Sequence, residues 1–318
     1  MFNVVVAVMA TLASVQQTDT VITVRPGVRV ELENFGGETV VRTWDRNAVR
    51  IVADHSSRDR IEIHGSETAV HIEGQSRFGP PRSVDYQLTV PVKSELNISG
   101  VYNDVNIDGV KGGITVETVQ GDVDVKGGEG FVSLRSVEGH VSLSGARGRV
   151  QLNSVNEEVT ASDVVGDLSV ETVNGDVILE KVESANVDAN TVNGEIWYDG
   201  TIKDGGHYTL TTHNGDITVT VAEGSNVTVS VATFSGDFES AFPVRLTETR
   251  RKRFNFALGS GSARLDLESF QGTIRLERPG VTRSVRDRDD DDHERERERE
   301  QAQREREREK QRRKRGDY

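Results

Sequence analysis

From Val105 onward the chain repeats a unit of nine residues whose first, third and sixth positions are small and apolar. The units run Val105, Ile107, Val110; Ile114, Val116, Val119; Val123, Val125, Gly128; Val132, Leu134, Val137; and Val141, Leu143, Ala146. Four more follow in frame: Val150, Leu152, Val155; Val159, Ala161, Val164; Leu168, Val170, Val173; and Val177, Leu179, Val182. One extra residue then enters, and Val187, Ala189, Val192 and Ile196, Tyr198 continue the pattern. Residues at i and i+2 share one face of an extended strand. Glycine falls two residues before the next unit at Gly112, Gly121, Gly130, Gly139, Gly148, Gly166 and Gly175, where a turn needs a permissive backbone. Each unit therefore predicts one short strand and one turn.

A period of 18 lies over the period of nine. Ser or Thr precedes the sixth-position residue in alternate units only, at Thr118, Ser136, Ser154 and Thr172, then at Thr191, Thr212 and Thr233 as the spacing loosens. The segment Thr-Val-Gln-Gly-Asp-Val-Asp-Val at 118–125 returns as Thr-Val-Asn-Gly-Asp-Val-Ile-Leu at 172–179 and as Ser-Phe-Gln-Gly-Thr-Ile-Arg-Leu at 269–276. Two corners alternate, so the predicted fold is all-β: a parallel β-solenoid of two-strand coils of 18 residues, built from nine-residue half-repeats. Six small apolar side chains per coil are expected inside. Such a coil buries too little to fold alone and depends on its stacked neighbours.

Open stack ends expose unpaired backbone and call for caps. Residues 18–100 suit an N-terminal β cap, with strand candidates at Val28–Leu32, Thr39–Arg42, Val49–Val52, Arg60–His64 and Val84–Val90 broken by turn residues such as Gly79-Pro80-Pro81. The solenoid is assigned to 101–280, with looser strand candidates near Phe254–Leu258, Ala263–Leu267 and Thr273–Leu276.

Composition supports this reading. Hydrophobic residues make up 34% and aromatics 5%, with 31 glycines and 6 prolines, which favours a core of small aliphatics in strands. Absence of cysteine removes disulfides, thiolate metal sites, cysteine nucleophiles and a lipid-modified N-terminal cysteine. The apolar run Val4 to Ala13, small residues at Ala13 and Ser14 and a polar stretch from Gln16 read as a signal peptide over residues 1–17 and predict export to the periplasm, envelope or exterior. Its alternative is a buried N-terminal strand, since positive residues before the apolar core are missing. No later run approaches the ~20 apolar residues of a membrane span.

The formal charge is −13 and is carried wholly by residues 1–285, because the segment 286–318 holds 13 acidic and 13 basic residues. An acidic body argues against nucleic acid as partner, since phosphate neutralisation needs clustered Lys and Arg. The tail, 281–318, runs through five aspartates, alternating Glu and Arg, and a basic close from Lys310 to Arg315. With almost nothing apolar to bury it is expected to be disordered or a solvated helix. It reads either as a solubilising extension or as a peripheral electrostatic contact to envelope polymers or lipid headgroups.

Chemistry is sparse. The segment Gly127-Gly128-Glu129-Gly130 approaches the calcium-binding Gly-Gly-x-Gly-x-Asp repeat, but Val132 stands where Asp is needed. The aspartates that recur, Asp122, Asp167, Asp176, Asp216 and Asp237, directly follow glycine on the turn. Histidines 55, 64, 71, 140, 207, 213 and 293 show no paired metal spacing. Asp122 with Asp124 is weak support for glycoside hydrolysis, and Trp44 and Trp197 are far apart, so the repeat face is expected to lack an aromatic ladder. No catalytic, cofactor-binding or metal residue is assigned, and no cofactor is called for.

The repeats, together with Glu33-Asn34-Phe35-Gly36-Gly37-Glu38 and Val40-Val41-Arg42-Thr43-Trp44-Asp45, resemble the putative adhesin family of bacterial exported β-strand-repeat proteins, whose members carry Asn-x-x-Gly-x-[Val/Ile] repeats after a signal peptide. The resemblance implies an envelope or surface location and a right-handed solenoid-like fold, and supplies no catalytic residue. The expected function is non-enzymatic: a structural or adhesive protein binding an envelope polymer or envelope protein through polar ladders on a solenoid face. Two alternatives are a regulatory binding module in envelope-stress signalling and a carbohydrate-active β-helix enzyme.

Overall fold

The computed structural model describes residues 15–76, 79, 83–244, 247–249 and 253–280. The apolar run Val4–Ala13 and the charged tail from 281 lie outside the described residues. The compact unit that holds the strands ends at Glu277.

Every regular element among the described residues is a β-strand. Through the middle of the chain two strands and two turns make one coil, and equivalent strands of successive coils pair in parallel, with register shifts at Asp108/Val110 and Glu180/Val182 where strands end. Glu129–Arg135 pairs with Arg147–Asn153, which pairs with Val165–Glu171, and on the other side Val123–Gly127, Val141–Ser144 and Val159–Ser162 do the same. The coils thus form two sheets. The front sheet carries Ile114–Glu117, Glu129–Arg135, Arg147–Asn153, Val165–Glu171, Asn186–Asn190 and His207–Thr212; the back sheet carries the strands that alternate with them. Their inward residues form one continuous core of Val, Ile, Leu and Ala, nearly all fully buried.

Coil geometry is already present upstream. The 16-residue strands Arg29–Trp44 and Glu95–Val110 each bend from the front sheet into the back one and pair with each other in parallel.

The first and third positions of each unit are interior as expected. The sixth position is interior only at one corner, where Val110, Gly128, Ala146, Val164 and Val182 sit. At the other corner the expectation of six apolar residues per coil fails: Val119, Val173 and Val192 are 45%, 38% and 42% exposed, and the preceding hydroxyl residue turns inward instead. The physical reason is a backbone carbonyl that must be satisfied. Ser136 Oγ donates to Gly121 O at 3.0 Å, Ser154 Oγ to Gly139 O at 3.2 Å, Thr172 Oγ1 to Glu157 O at 3.2 Å, Thr191 Oγ1 to Gly175 O at 2.9 Å and Thr212 Oγ1 to Gly194 O at 2.9 Å. A buried carbonyl left bare costs more than a buried methyl contributes.

The same corner explains its glycines differently from the turn argument. A Cβ at Gly139, Gly175 or Gly194 would stand 2.0 Å from the carbonyl oxygen of the preceding coil, and none of these three has a positive φ. They are required by close approach of stacked backbones. Positive φ alone is the reason at Gly130 (87°), while at Gly148 and Gly166 (121° and 131°) it acts together with a Cβ approach of 2.3 and 2.0 Å to the carbonyl oxygen of the preceding coil.

Both ends of the stack depart from sequence order. At the N-terminal end the coil made by Ala69–Ser76 and Asp85–Pro91 packs outside Arg29–Trp44, which therefore lies between it and Glu95–Val110. At the other end Ala263–Ser269 and Ile274–Glu277 insert between the coil of His207–Thr212 with Ile217–Thr220 and the coil of Val227–Thr233 with Phe238–Ser240. Arg275 locks this insertion, reaching Asp216 at 2.7 Å on one side and Glu239 at 3.2 Å on the other. Antiparallel strands then close the ends: Ala48–Ser56 and Val15–Thr23 beyond Asp85–Pro91, Asp59–Gly65 beyond Ala69–Ser76, and Arg253–Leu258 with Thr247–Thr249 beyond Val227–Thr233.

Candidate binding surface

Exact parallel register turns every outward position into a column with one side chain per coil. On the front sheet one column reads His71, Glu31, Asn97, Thr115, Ser133, Gln151, Ser169, Asp188, Thr209, Asp266 and Ser230. It is polar at every rung. The matching back-sheet column, Asn106, Asp124, Ser142, Thr160, Ile178, Trp197, Thr218, Arg275 and Glu239, is interrupted at its centre, where Ile178 and Thr218 are buried and Trp197 is half-buried.

Two recesses lie on the front sheet. One of about 370 Å³ is lined by Arg149, Gln151, Asp167, Ser169, Asn186, Asp188, His207 and Thr209. The other, of about 490 Å³, is lined by Arg29, Glu31, Glu95, Asn97, Thr115, Glu129 and Phe131. Both bring carboxylates, hydroxyls, amides and an Arg together in one shallow depression whose lining also includes apolar residues, Val150, Leu168 and Val187 in the first and Leu96 and Ile114 in the second. Asn186 Nδ2 donates to Asp167 Oδ1 at 2.9 Å, so the floor of the first is partly pre-ordered.

A second ladder follows the hydroxyl corner. Asn214 Nδ2 donates to Asn193 Oδ1 at 2.7 Å, Asn193 to Asn174 at 2.9 Å and Asn174 to Asn156 at 2.9 Å, all exposed and all running one way. Beside it the outward valines end in an aromatic stack: His213 and Phe270 lie 4.7 Å apart and 8° from parallel, and Phe270 and Phe234 lie 4.7 Å apart at 1°. This corrects the expectation that the repeat face lacks an aromatic ladder. Phe270 stands between the other two rings only because its coil is inserted out of sequence order, which spacing alone conceals; the repeated triplets Thr-Phe-Ser at 233–235 and Ser-Phe-Gln at 269–271 were the available signal. Rings stacked this way cover one another's faces and show their edges, so they offer little of the flat platform on which a sugar ring packs.

The recurrent turn aspartates have a structural use at several rungs. Asp122 Oδ1 accepts the His140 N–H at 2.8 Å, Asp176 Oδ1 that of Glu195 at 2.7 Å and Asp216 Oδ1 that of Thr273 at 2.7 Å, each one coil away. Asp122 is thus engaged with backbone, while Asp124 faces out on the back sheet beside Ser142. Gly127 and Gly128 take φ of 113° and 101°, and a Cβ at Gly128 would meet the Val132 side chain at 2.5 Å, so this glycine pair shapes a filled interior corner.

His64 and His71 are opposite each other across the paired strands Asp59–Gly65 and Ala69–Ser76, and the other described histidines stay dispersed. His55 is buried between Thr18 Oγ1 and Ser56 O, both at 3.0 Å, His64 and His71 stand near glutamates, His140 lies 3.5 Å from Glu157, His207 lines the first recess, and His293 is outside the described residues. Trp44 donates to Ala48 O at 2.7 Å under Arg46. Among the described residues no three His, Asp or Glu side chains converge as metal ligands, and no helix is long and apolar enough to cross a membrane.

No curated protein is detectably similar in sequence. Solved structures similar to this chain include a putative cell adhesion protein from Clostridium sporogenes at 9% identity, covering 83% of this chain and 100% of that one with a TM-score of 0.20. Putative adhesins from Parabacteroides distasonis (9% identity, 83% and 98% coverage, TM-score 0.40) and Bacteroides fragilis (11%, 83% and 98%, 0.39) are also similar. The model of the Toastrack DUF4097 family, a domain of unknown function, matches residues 38–277, well over half of the sequence, and the chain belongs to that family.

Proposed function

We propose that this is an exported, non-enzymatic envelope or surface protein that holds its target along the front sheet, in the manner of an adhesin. The observation that carries this reading is the front column of eleven polar rungs, unbroken from His71 to Ser230, against a back column interrupted by Ile178 and Trp197. Repetition of one weak polar contact per coil makes binding multivalent, so an extended polymer gains affinity from each further rung it spans. Both recesses lie on this face, and its mixed hydroxyl, amide and carboxylate character suits a polar polymer better than an apolar one. The short apolar run before Val15 supports a surface location.

The test is co-sedimentation of the purified protein with isolated cell envelopes. Ser169→Arg combined with Thr209→Arg on the front sheet is expected to lower binding at least tenfold, while Ser142→Arg with Thr160→Arg on the back sheet leaves it unchanged. Equal loss from both pairs, or no binding by the parent protein, defeats the proposal.

A further inference from the structure

The two ends of the solenoid are closed unequally. At the end closed by the coil of Val227–Thr233 with Phe238–Ser240, the outermost strands, Thr247–Thr249 on one sheet and Phe238–Ser240 on the other, have three residues each. The N-terminal end finishes in Val15–Thr23, a strand of nine residues that pairs with Ala48–Ser56 through nine unbroken steps and has no strand on its other side among the described residues. Proteins commonly block such an edge with proline, lysine, a bulge or an unpaired charge. None is present here. The strand holds neither Pro nor Lys, its register does not slip, and its one charged residue, Asp19, is engaged by Arg50 of the neighbouring strand at 2.7 and 3.0 Å. The other long terminal strand, Asp59–Gly65, carries Asp59, Arg60, Glu62 and His64 within seven residues.

We propose that the free edge of Val15–Thr23 is an interaction surface for a second copy of this chain, the two strands pairing antiparallel about a two-fold axis so that two solenoids join end to end. Val24 N–H donates to Asn47 O, and alternation along an antiparallel ladder then directs the N–H and C=O of Ile22, Thr20 and Thr18 toward the neighbouring strand. Those of Gln17, Asp19, Val21 and Thr23 point to the open side. An axis through Thr20 sets Asp19 against the partner's Val21 and Thr18 against the partner's Ile22. No like charges meet, and about four backbone hydrogen bonds form across the junction in a protein exported without residues 1–17. Thr20 meets its own copy in a non-hydrogen-bonded pair, the closer of the two antiparallel spacings. An isologous contact of this kind closes on itself, so assembly stops at the dimer.

Sedimentation equilibrium of the protein without residues 1–17 reads the dimer directly, and the lack of native cysteine permits a positional check. The parent protein is expected to show a monomer–dimer equilibrium, and Thr20→Cys to give a disulfide-linked dimer on mild oxidation while Arg58→Cys does not. Val21→Pro, which removes an outward N–H at a 59% exposed position, is expected to give monomer with an unchanged melting curve. Should that variant fold poorly, Val21→Asp sets a like charge against the partner's Asp19 and gives the same result. A parent that stays monomeric at every attainable concentration overturns the proposal. So does a dimer that survives both Val21 variants, or one that crosslinks as well through Arg58→Cys.

Discussion

Thr191 and Val192 give the sharpest test of how the hydroxyl corner works. Hydropathy alone puts Val192 inside and Thr191 outside; the structure has Thr191 5% exposed and Val192 42% exposed. Thr191→Val keeps the shape and leaves no cavity, but it strips the 2.9 Å hydrogen bond from Gly175 O inside the stack. An unsatisfied buried acceptor costs about 1–3 kcal/mol, and the added methyl recovers up to ~0.8 kcal/mol of that. The net loss is roughly 1–2 kcal/mol, which in a domain of this size lowers Tm by roughly 3–6 °C. The neighbouring change, Val192→Thr, adds a hydroxyl to a solvated position and stays within about 0.5 kcal/mol. Thermal melts of both variants by circular dichroism, with urea midpoints as a second reading, decide the matter. A Thr191→Val protein as stable as the parent beside a Val192→Thr protein that melts several degrees lower would refute the inward hydroxyl.

Gly194→Ala is expected to cost about 3 kcal/mol in urea unfolding, because its Cβ would stand 2.0 Å from Gly175 O and the coils must separate to admit it. Lys181 holds a φ of 51° in a turn column where Gly127 and Gly145 are also left-handed, so Lys181→Gly is expected to raise the urea midpoint, by about 0.5 kcal/mol once the extra backbone entropy is counted. Tyr198 OH is buried without a hydrogen-bond partner, whereas Tyr208 OH donates to Ser184 O at 2.7 Å and accepts from the Lys203 N–H at 2.8 Å. Tyr198→Phe is therefore expected to melt at or above the parent temperature, and Tyr208→Phe to lose about 1–2 kcal/mol. Burial pushes the Tyr198 hydroxyl far above its ordinary value of 10.0, so the folded state keeps a proton that the unfolded chain releases. Stability from this group is complete below pH 10 and falls as pH rises beyond it, and alkaline melts of Tyr198→Phe should show a shallower decline.

The middle of the fold was legible because period and chemistry agree there: from Val105 to Val182 each strand, turn and interior first or third position is where the pattern puts it. The hydroxyl corner misled because valine and threonine are close in shape, and only the carbonyl of the preceding coil decides which turns inward. Insertion of the coil 263–277 was hidden for a different reason. A local pattern fixes which residues face in but carries no term for which coil is the neighbour, and Ser-Phe-Gln-Gly at 269–272 fits Thr-His-Asn-Gly at 212–215 and Thr-Phe-Ser-Gly at 233–236 equally well. The two faces were likewise equivalent in sequence. Only the stacked register revealed that one column is polar throughout while the other is broken at Ile178 and Trp197.

A stack of coils behaves nearly as a one-dimensional chain of units, each held by its neighbours, and such chains fray from their ends. In a strictly sequential solenoid the last coil has one neighbour and a free chain end, so it opens at the cost of a single interface. Here the first and last coils in sequence, Arg29–Trp44 and 263–277, each lie between two others, and the coils that stand outermost, 69–91 and 227–240, continue into chain on both sides. Opening an outermost coil therefore frees a loop whose ends stay fixed, and the chain gains less entropy than a released terminus would. Arg275 adds to this by tying the inserted coil to Asp216 on one side and Glu239 on the other. Under the proposed binding of a polymer along the front sheet, equivalent rungs serve only while they keep their spacing, so order at the ends of the stack would set how many contacts are used at once. The out-of-order coils, absent from the repeat pattern itself, are what extend the ordered column from His71 to Ser230.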